Sequence, residues 1–174
     1  MASWVGPAIV AAVIAAVVSV AGWFVSAGQA LRAERRHRIE RMRDFQIALR
    51  AEVRAELADL EGQDFETSLA IVWQRSESEA GYTLRVPTLP PHVIFDAILP
   101  QISILPEEII DPVVLYVRQR QVVAGVVADI RDPTFASLSR DRQREIVREY
   151  VSLLVYLREL ARMADAALSR TTPT

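Results

Sequence analysis

The chain has 174 residues, 51% of them apolar and 24% charged, which fits one folded domain and excludes a disordered or collagen-like polymer. It has no cysteine, so disulfide staples, thiolate metal sites, haem attachment and a cysteine nucleophile are excluded. All 20 basic residues are arginine and the net charge is -2. That removes Schiff-base chemistry and a phosphate-loop lysine, and argues against a general nucleic-acid binder. Asparagine is absent too; lysine and asparagine share AT-rich codons, so the composition points to a GC-rich, bacterial genome.

The first charged residue is Arg32. Residues 4–27 are apolar, small or uncharged, and the run is long enough to cross a bilayer as a helix. Trp4 and the Trp23-Phe24 pair mark its ends. Nineteen residues separate the two tryptophans, roughly 28 Å along a helix, which matches a hydrocarbon core of about 30 Å with the indoles in the two headgroup belts. Pro7 falls in the first turn, where its missing N–H costs nothing. A cleaved secretory signal is the competing reading, since Val25-Ser26-Ala27 has the small-residue spacing that signal peptidase accepts. The run has no basic stretch before it, however, and exceeds the usual 7–15 residues of such a signal, so an uncleaved anchor is expected.

Arg32, Arg35, Arg36, Arg38, Arg41 and Arg43 follow the span against only Glu34 and Glu40, whereas residues 1–3 carry no charged side chain. By the positive-inside rule the C-terminal side is expected in the cytoplasm and the N-terminus outside the inner membrane. Trp4, Trp23, Phe24 and these six arginines are therefore the candidate membrane-interface residues. The arginines serve as a topology signal and are also able to rest on anionic headgroups. Ala11, Ala15 and Ser19, and Gly22 with Ser26, recur at i, i+4, a spacing that allows close helix approach. No ionisable residue lies in the span, which argues against a proton or ion path.

Beyond the span the helix is expected to continue through residues 28–62, with Gly28 as the one plausible kink and Gly62 as the stop. Ile39, Met42, Phe45, Leu49, Val53, Leu57 and Leu60 step by three or four, forming one helical stripe. Residues 65–74 fit a short helical piece. Residues 76–91, with Gly81, Pro87, Pro90 and Pro91, read as an ordered connector. Pro90-Pro91 opens a short helix with Val93, Ile94, Phe95, Ile98 and Leu99 inward, stopped by Pro100. Asp111-Pro112 reads as a cap followed by proline at the first helical position, starting a helix to about Arg131. Val113, Tyr116, Val117, Val123, Val127 and Ile130 give that helix one apolar face, and Leu115, Val122 and Val126 a second, the pattern of a helix at the centre of a bundle. Arg118-Gln119-Arg120-Gln121 interrupts it, so it is not a second span.

Asp132-Pro133 ends that helix, and Ser139 caps a last one running to about residue 169. Its stripe comprises Ile146, Val147, Tyr150, Leu153, Leu154, Leu157, Leu160, Ala161, Ala164 and Leu168. The expected architecture is all-α: one transmembrane helix (residues 4–27) extending through 28–62 into a small cytoplasmic helical bundle (63–169), followed by a disordered tail (170–174). Charge is segregated, with a net +2 over residues 31–60, -7 over 61–112 and +3 over 113–174. Pairing of the acidic middle with the basic last helix inside one fold accounts for this, with an acidic docking face as the alternative.

Three successive stretches carry a resemblance: His92-Val93-Ile94-Phe95-Asp96-Ala97-Ile98-Leu99, Ile104-Leu105-Pro106-Glu107-Glu108-Ile109-Ile110 and Val113-Val114-Leu115-Tyr116. Together they resemble a loose class of uncharacterised bacterial proteins with an N-terminal membrane anchor and a helical cytoplasmic module. In that class a Phe/Tyr-Asp-Ala helix leads into Leu-Leu-Pro-Glu-Glu-Ile and an apolar helix with a Tyr; here Ile104 replaces the Leu or Gly more usual at its position. The resemblance implies an all-helical module and no particular activity.

Signals for chemistry are sparse. His37 lies in the arginine-rich turn and is expected to be solvated. His92 and Asp96, at i, i+4, are expected to act as a helix cap or surface pair, since a metal site needs further ligands at recognisable spacing. Glu107, Glu108 and Asp111 cluster at a helix start, where the dipole favours acids. No dinucleotide, phosphate-loop or nucleophile-elbow motif occurs. The expectation is a non-enzymatic protein with no cofactor and no metal. Its partners are the lipid bilayer and another membrane or membrane-associated protein, or a second copy of itself. The alternative is a membrane-anchored signalling or phage-lysis-type component that oligomerises through its helices. Its coiled-coil stripe would have to outlast the three heptads present, and the arginines place the module inside.

Overall fold

In the computed structural model the backbone is described for residues 5–79, 82 and 84–170, and side chains within the first helix at 19, 22–24 and from 26 onward. The chain divides into two units, Met1–Arg43 and Asp44–Thr174. Every regular element among the described residues is helical: α1 (Val5–Glu61), α2 (Phe65–Ser78), α3 (Val93–Ile98), α4 (Glu107–Arg131) and α5 (Arg140–Leu168), with 3₁₀ segments at Leu99–Ile104 and Pro133–Ser137. The all-α expectation therefore holds, with three long helices and two short ones.

The first unit consists of the N-terminal part of α1. Its backbone is helical at Pro7 and at Gly28, so the helix continues past residue 27 as expected. Among the described residues no helix is long and apolar enough to cross a membrane. Trp4 lies outside the described residues, as do the side chains of residues 5–18, which form most of the expected span, Ala11 and Ala15 included. Ser26 Oγ donates to the Gly22 carbonyl at 2.9 Å, an ordinary i−4 contact within one helix.

The second unit begins where α1 acquires an inward face. Leu49, Val53 and Leu60 are buried, whereas Ile39 is 46% exposed. Along the stripe predicted from Ile39 onward, Met42 and Phe45 are half-buried and full burial begins at Leu49. The helix ends as expected at Gly62, whose N–H reaches the Ala58 carbonyl at 3.0 Å. A Cβ there would come within 3.3 Å of that oxygen, so glycine suits this closure. Asp64 then caps α2, accepting from the Thr67 N–H at 3.1 Å. The Thr67 bonds hold the Asp64 carboxyl below its ordinary range.

α3 and the start of α4 depart from expectation. Phe95 and Ile98 are buried, but Val93 and Leu99 are exposed; with less than two turns, α3 presents only one narrow face. α3 ends at Ile98 with Leu99 as its cap, next to Pro100 as expected, and Pro100 sits in the first turn of the 3₁₀ segment that follows, where no N–H is required. α4 starts at Glu107, one turn before the predicted cap. Pro106 is its N-cap, with its carbonyl accepting from the Ile109 and Ile110 N–H groups at 3.0 and 3.1 Å. Asp111 and Pro112 therefore lie inside the helix. Pro112, the sixth residue of the helix, forgoes one intrahelical bond, to the Glu108 carbonyl.

α4 and α5 pack extensively on each other across a connection of residues 132–139, and Gln119 Nε2 donates to the Leu153 carbonyl at 3.2 Å. The first face of α4 is core: Val113, Tyr116, Val123, Val127 and Ile130 are buried. The second is not, with Leu115 48% and Val122 49% exposed. The bundle covers one side of α4, so the central placement expected for it is corrected to a peripheral one. Asp132 caps the following 3₁₀ turn through Thr134, and Ser139 Oγ accepts from the Arg142 N–H at 3.3 Å, the predicted cap of α5. The α5 stripe is as expected, with Leu157, Ala161 and Ala164 wholly buried.

Charge pairing across the fold is partial. Glu61 meets Arg162 at 2.9 Å and Glu77 meets Arg144, so two acids of the middle segment pair with α5. The Arg50–Asp165 pair, at 2.8 Å, runs in the opposite sense from α1. Arg144 and Arg158 also lie over the rings of Trp73 and Phe65, each 5.7 Å from the centroid, tying α5 to α2 through cation–π contact.

Candidate functional site

In the first unit the predicted interface residues other than Trp4 share the surface of one helix. Trp23 and Phe24 are 67% and 64% exposed, with ring centroids 5.3 Å apart in an edge-to-face arrangement. Arg32, Arg35, Arg36, Arg38, Arg41 and Arg43 are all exposed. None of them forms an ion pair among the described residues, where Glu40 instead meets His37 Nδ1 at 3.4 Å. At ~100° per residue, Arg32, Arg35, Arg36 and Arg43 fall on one side of the helix and Arg38 and Arg41 on the other. Six unpaired guanidinium groups make this segment a cationic surface suited to anions, with the planar donors of arginine matched to phosphate.

The second unit contains a buried polar cluster that none of the sequence expectations includes. Glu56, on the inward face of α1, receives three side chains. Tyr116 Oη donates to Oε2, Arg120 Nε reaches Oε1 and Oε2 at 3.0 and 2.9 Å, and His92 Nε2 lies 3.4 Å from Oε2 and 3.2 Å from Tyr116 Oη. Burial opposes the charge on Glu56, but the bonds from His92 and Tyr116 and the charge of Arg120 outweigh it, leaving the carboxyl below its ordinary range. Tyr116 is pushed far up, by burial first and by the neighbouring carboxylate second. It stays a phenol and a donor.

One turn earlier on α1, Glu52 accepts from the N–H groups of Ile94 and Phe95 at 3.1 and 2.8 Å. It thereby caps α3, whose own N-cap residue, His92, makes no side-chain cap bond. Arg120 also donates to the Pro90 carbonyl, and Arg131 Nη1 to the Val86 carbonyl at 3.1 Å. These bonds fasten the connector to α4. A buried, ionised carboxylate held by three side chains from two other segments fixes a conformation.

His92 is therefore placed differently from its expectation as a cap or surface pair with Asp96. It is buried and turned away from Asp96 toward α1 and α4, stacked obliquely on Tyr116 with centroids 5.6 Å apart. His37 stands on the surface, as expected. Glu107, Glu108 and Asp111 are exposed around the first turn and a half of α4. Among the described residues there is no group of three or more His, Asp or Glu that could hold a metal ion.

Next to the cluster lies an open cavity of about 410 Å³ between α1, α2, the connector and α5. Leu60, Phe65, Val72, Val147 and Leu154 form its apolar walls, while Glu56, Asp59 and Tyr150 supply the polar edge. Burial raises the Tyr150 hydroxyl above its ordinary pKa. The size is in the range of small-molecule sites.

Two signals in the sequence could have located the cluster. Glu56 interrupts the apolar progression Leu49, Val53, Leu60 at a position that faces inward, and a buried acid requires a partner. Tyr116 and Arg120 stand at i, i+4 on the core side of α4. What the sequence does not give is that these residues meet, since Glu56 and Arg120 are 64 positions apart.

Comparison with protein-family models finds no match to this chain, and searches of curated proteins and of solved structures find none either.

Proposed function

We propose that the chain is a non-enzymatic, single-pass protein of a bacterial inner membrane, N-terminus outside and helical module in the cytoplasm. There the module acts as an interaction or accessory subunit of a larger membrane-associated complex. The observation that carries this reading is a stretch of 31 residues without one charged side chain, followed within 12 residues by six arginines. Such a stretch spans a bilayer with residues to spare, and the arginines after it are the positive-inside signal. α1 supports the reading by being helical from Val5 through the arginines. The backbone hydrogen bonds of the apolar stretch are then satisfied internally, as a lipid environment requires.

The interaction role rests on α4. Leu115 and Val122, seven residues apart on one side of the helix, are each about half exposed. A second apolar face left uncovered on a bundle helix is the kind of surface that docks a partner. That partner is another membrane or membrane-associated protein, or a second copy of the chain.

Washing membranes at alkaline pH tests the anchor: the chain stays in the pellet, and its release into the wash would overturn the reading. Purification in mild detergent then tests the module. A partner chain is retained by the parent protein and lost from a Leu115→Gln, Val122→Gln double variant that keeps its helical spectrum.

A further inference from the structure

We infer that Arg32, Arg35 and Arg36 form a contact site for the headgroup phosphates of acidic phospholipids, distinct from the general topology signal supplied by all six arginines. The inference rests on the membrane reading above and adds to it a ligand class and a subset of residues.

Three observations converge. The first is axial position. With the span ending at residue 27, Arg32 lies about 7 Å further along the helix, and a headgroup layer of about 5–7 Å per leaflet ends at that height. Arg35 and Arg36 are about 12–14 Å along, within one Debye length of roughly 8 Å of the layer's edge. Arg41 and Arg43 are about 21–24 Å along, well beyond it. Side chains on a helix tilt toward its N-terminus, so all these arginines lean toward the membrane, but only the first three are near enough to touch it.

The second observation is angular. Arg32, Arg35 and Arg36 fall within an arc of ~100°, so a single tilt of the helix lowers all three onto the surface together, and helices in bilayers are tilted by about 20° on average. Arg38, the next in sequence, falls ~60° outside this arc and about 17 Å along the helix, further from the layer than the other three.

The third is chemical. The three guanidinium groups are exposed and unpaired among the described residues. Of the acids nearby, Glu40 is engaged by His37, and Glu34 lies on the far side of the helix by the same angular count. The exposed Trp23-Phe24 pair is suited to the headgroup belt below them. Unpaired planar guanidinium groups bind phosphate oxygens in pairs, and a net negative headgroup is preferred over a zwitterionic one by roughly fivefold for each arginine near the surface.

The test uses the full chain, extracted in mild detergent and titrated with phosphatidylglycerol or phosphatidylcholine, with bound lipids counted by native mass spectrometry. The expected result is retention of phosphatidylglycerol over phosphatidylcholine by tenfold or more at low salt, declining as salt is raised. The preference drops to near unity in the Arg32→Gln, Arg35→Gln, Arg36→Gln triple variant and persists in Arg41→Gln, Arg43→Gln. Equal retention of the two lipids by the parent chain, or equal loss of preference in both variants, would overturn the site while leaving the anchor intact. Release of the parent chain from membranes by alkaline wash would overturn the membrane reading and the site together.

Discussion

Glu56 illustrates how much depends on one side chain. Its carboxylate accepts from Tyr116, Arg120 and His92 at once, so removing it strands two buried donors and a buried guanidinium group. Glu56→Ala is expected to cost about 3–5 kcal/mol, the usual penalty for breaking a buried ion pair from one side. Chemical denaturation followed by Trp73 fluorescence in a fragment starting at Arg32 measures it, since Trp4 and Trp23 are then absent. The folded-state pKa of Glu56 is depressed below that of a free glutamate, about 4.3. Its contribution to stability is therefore complete above that value and disappears as pH falls through the lower, folded one. Glu56→Gln should flatten the acid side of the stability profile below about pH 4.5; an unchanged acid limb would show that the charge on Glu56 contributes nothing. The acid itself was visible in the sequence as an interruption of an apolar stripe. Its partners were not, because no periodicity relates Glu56 to His92 or Arg120: tertiary folding alone brings them together.

At the scale of elements, α4 distinguishes what local pattern can and cannot say. Its two apolar faces were both legible, but which face the bundle covers depends on the number and placement of neighbouring helices. Val123 is fully buried while Val122, the next residue, is half exposed. Val123→Asp is expected to unfold the module, because an unpaired charge in a packed core costs several kcal/mol, comparable to the whole stability of a small domain. Val122→Asp should shift stability by no more than about 0.5 kcal/mol, as surface substitutions do. Thermal melts followed by circular dichroism separate the two, and equal melting temperatures for both variants would contradict the assigned faces. Helix ends set by side chains were legible at Gly62 and Ser139, where a glycine stop and a serine cap act locally. The start of α4 was not, because Pro106 and Pro112 are both compatible with a first turn, and the packing of Ile109, buried at 3% exposure, selects the earlier one. The end of α3 beside Pro100 was legible, but the 3₁₀ segment that follows it was not, since Pro100 is as acceptable in the first turn of such a segment as it is after a helix.

On the scale of the whole molecule, the two units have contrasting chemistry. The first is a single helical segment whose charged residues begin at Arg32; the second is a bundle closed by a buried polar cluster and capped helices. The apolar run and the arginines that define the membrane reading are compositional features, so they were legible without any structure, whereas the uncovered face of α4 required one. The central claim is that the module lies on the cytoplasmic side. Placing several arginines outside would work against the membrane potential at roughly 2.3 kcal/mol per charge per 100 mV and forgo the anionic inner leaflet. Paired reporter fusions at Thr174 read the orientation directly. A fluorescent protein that matures only in the cytoplasm should be bright there, and alkaline phosphatase, active only in an oxidising outer compartment, should be silent. A dark fluorescent fusion together with an active phosphatase would put the module outside and contradict the account.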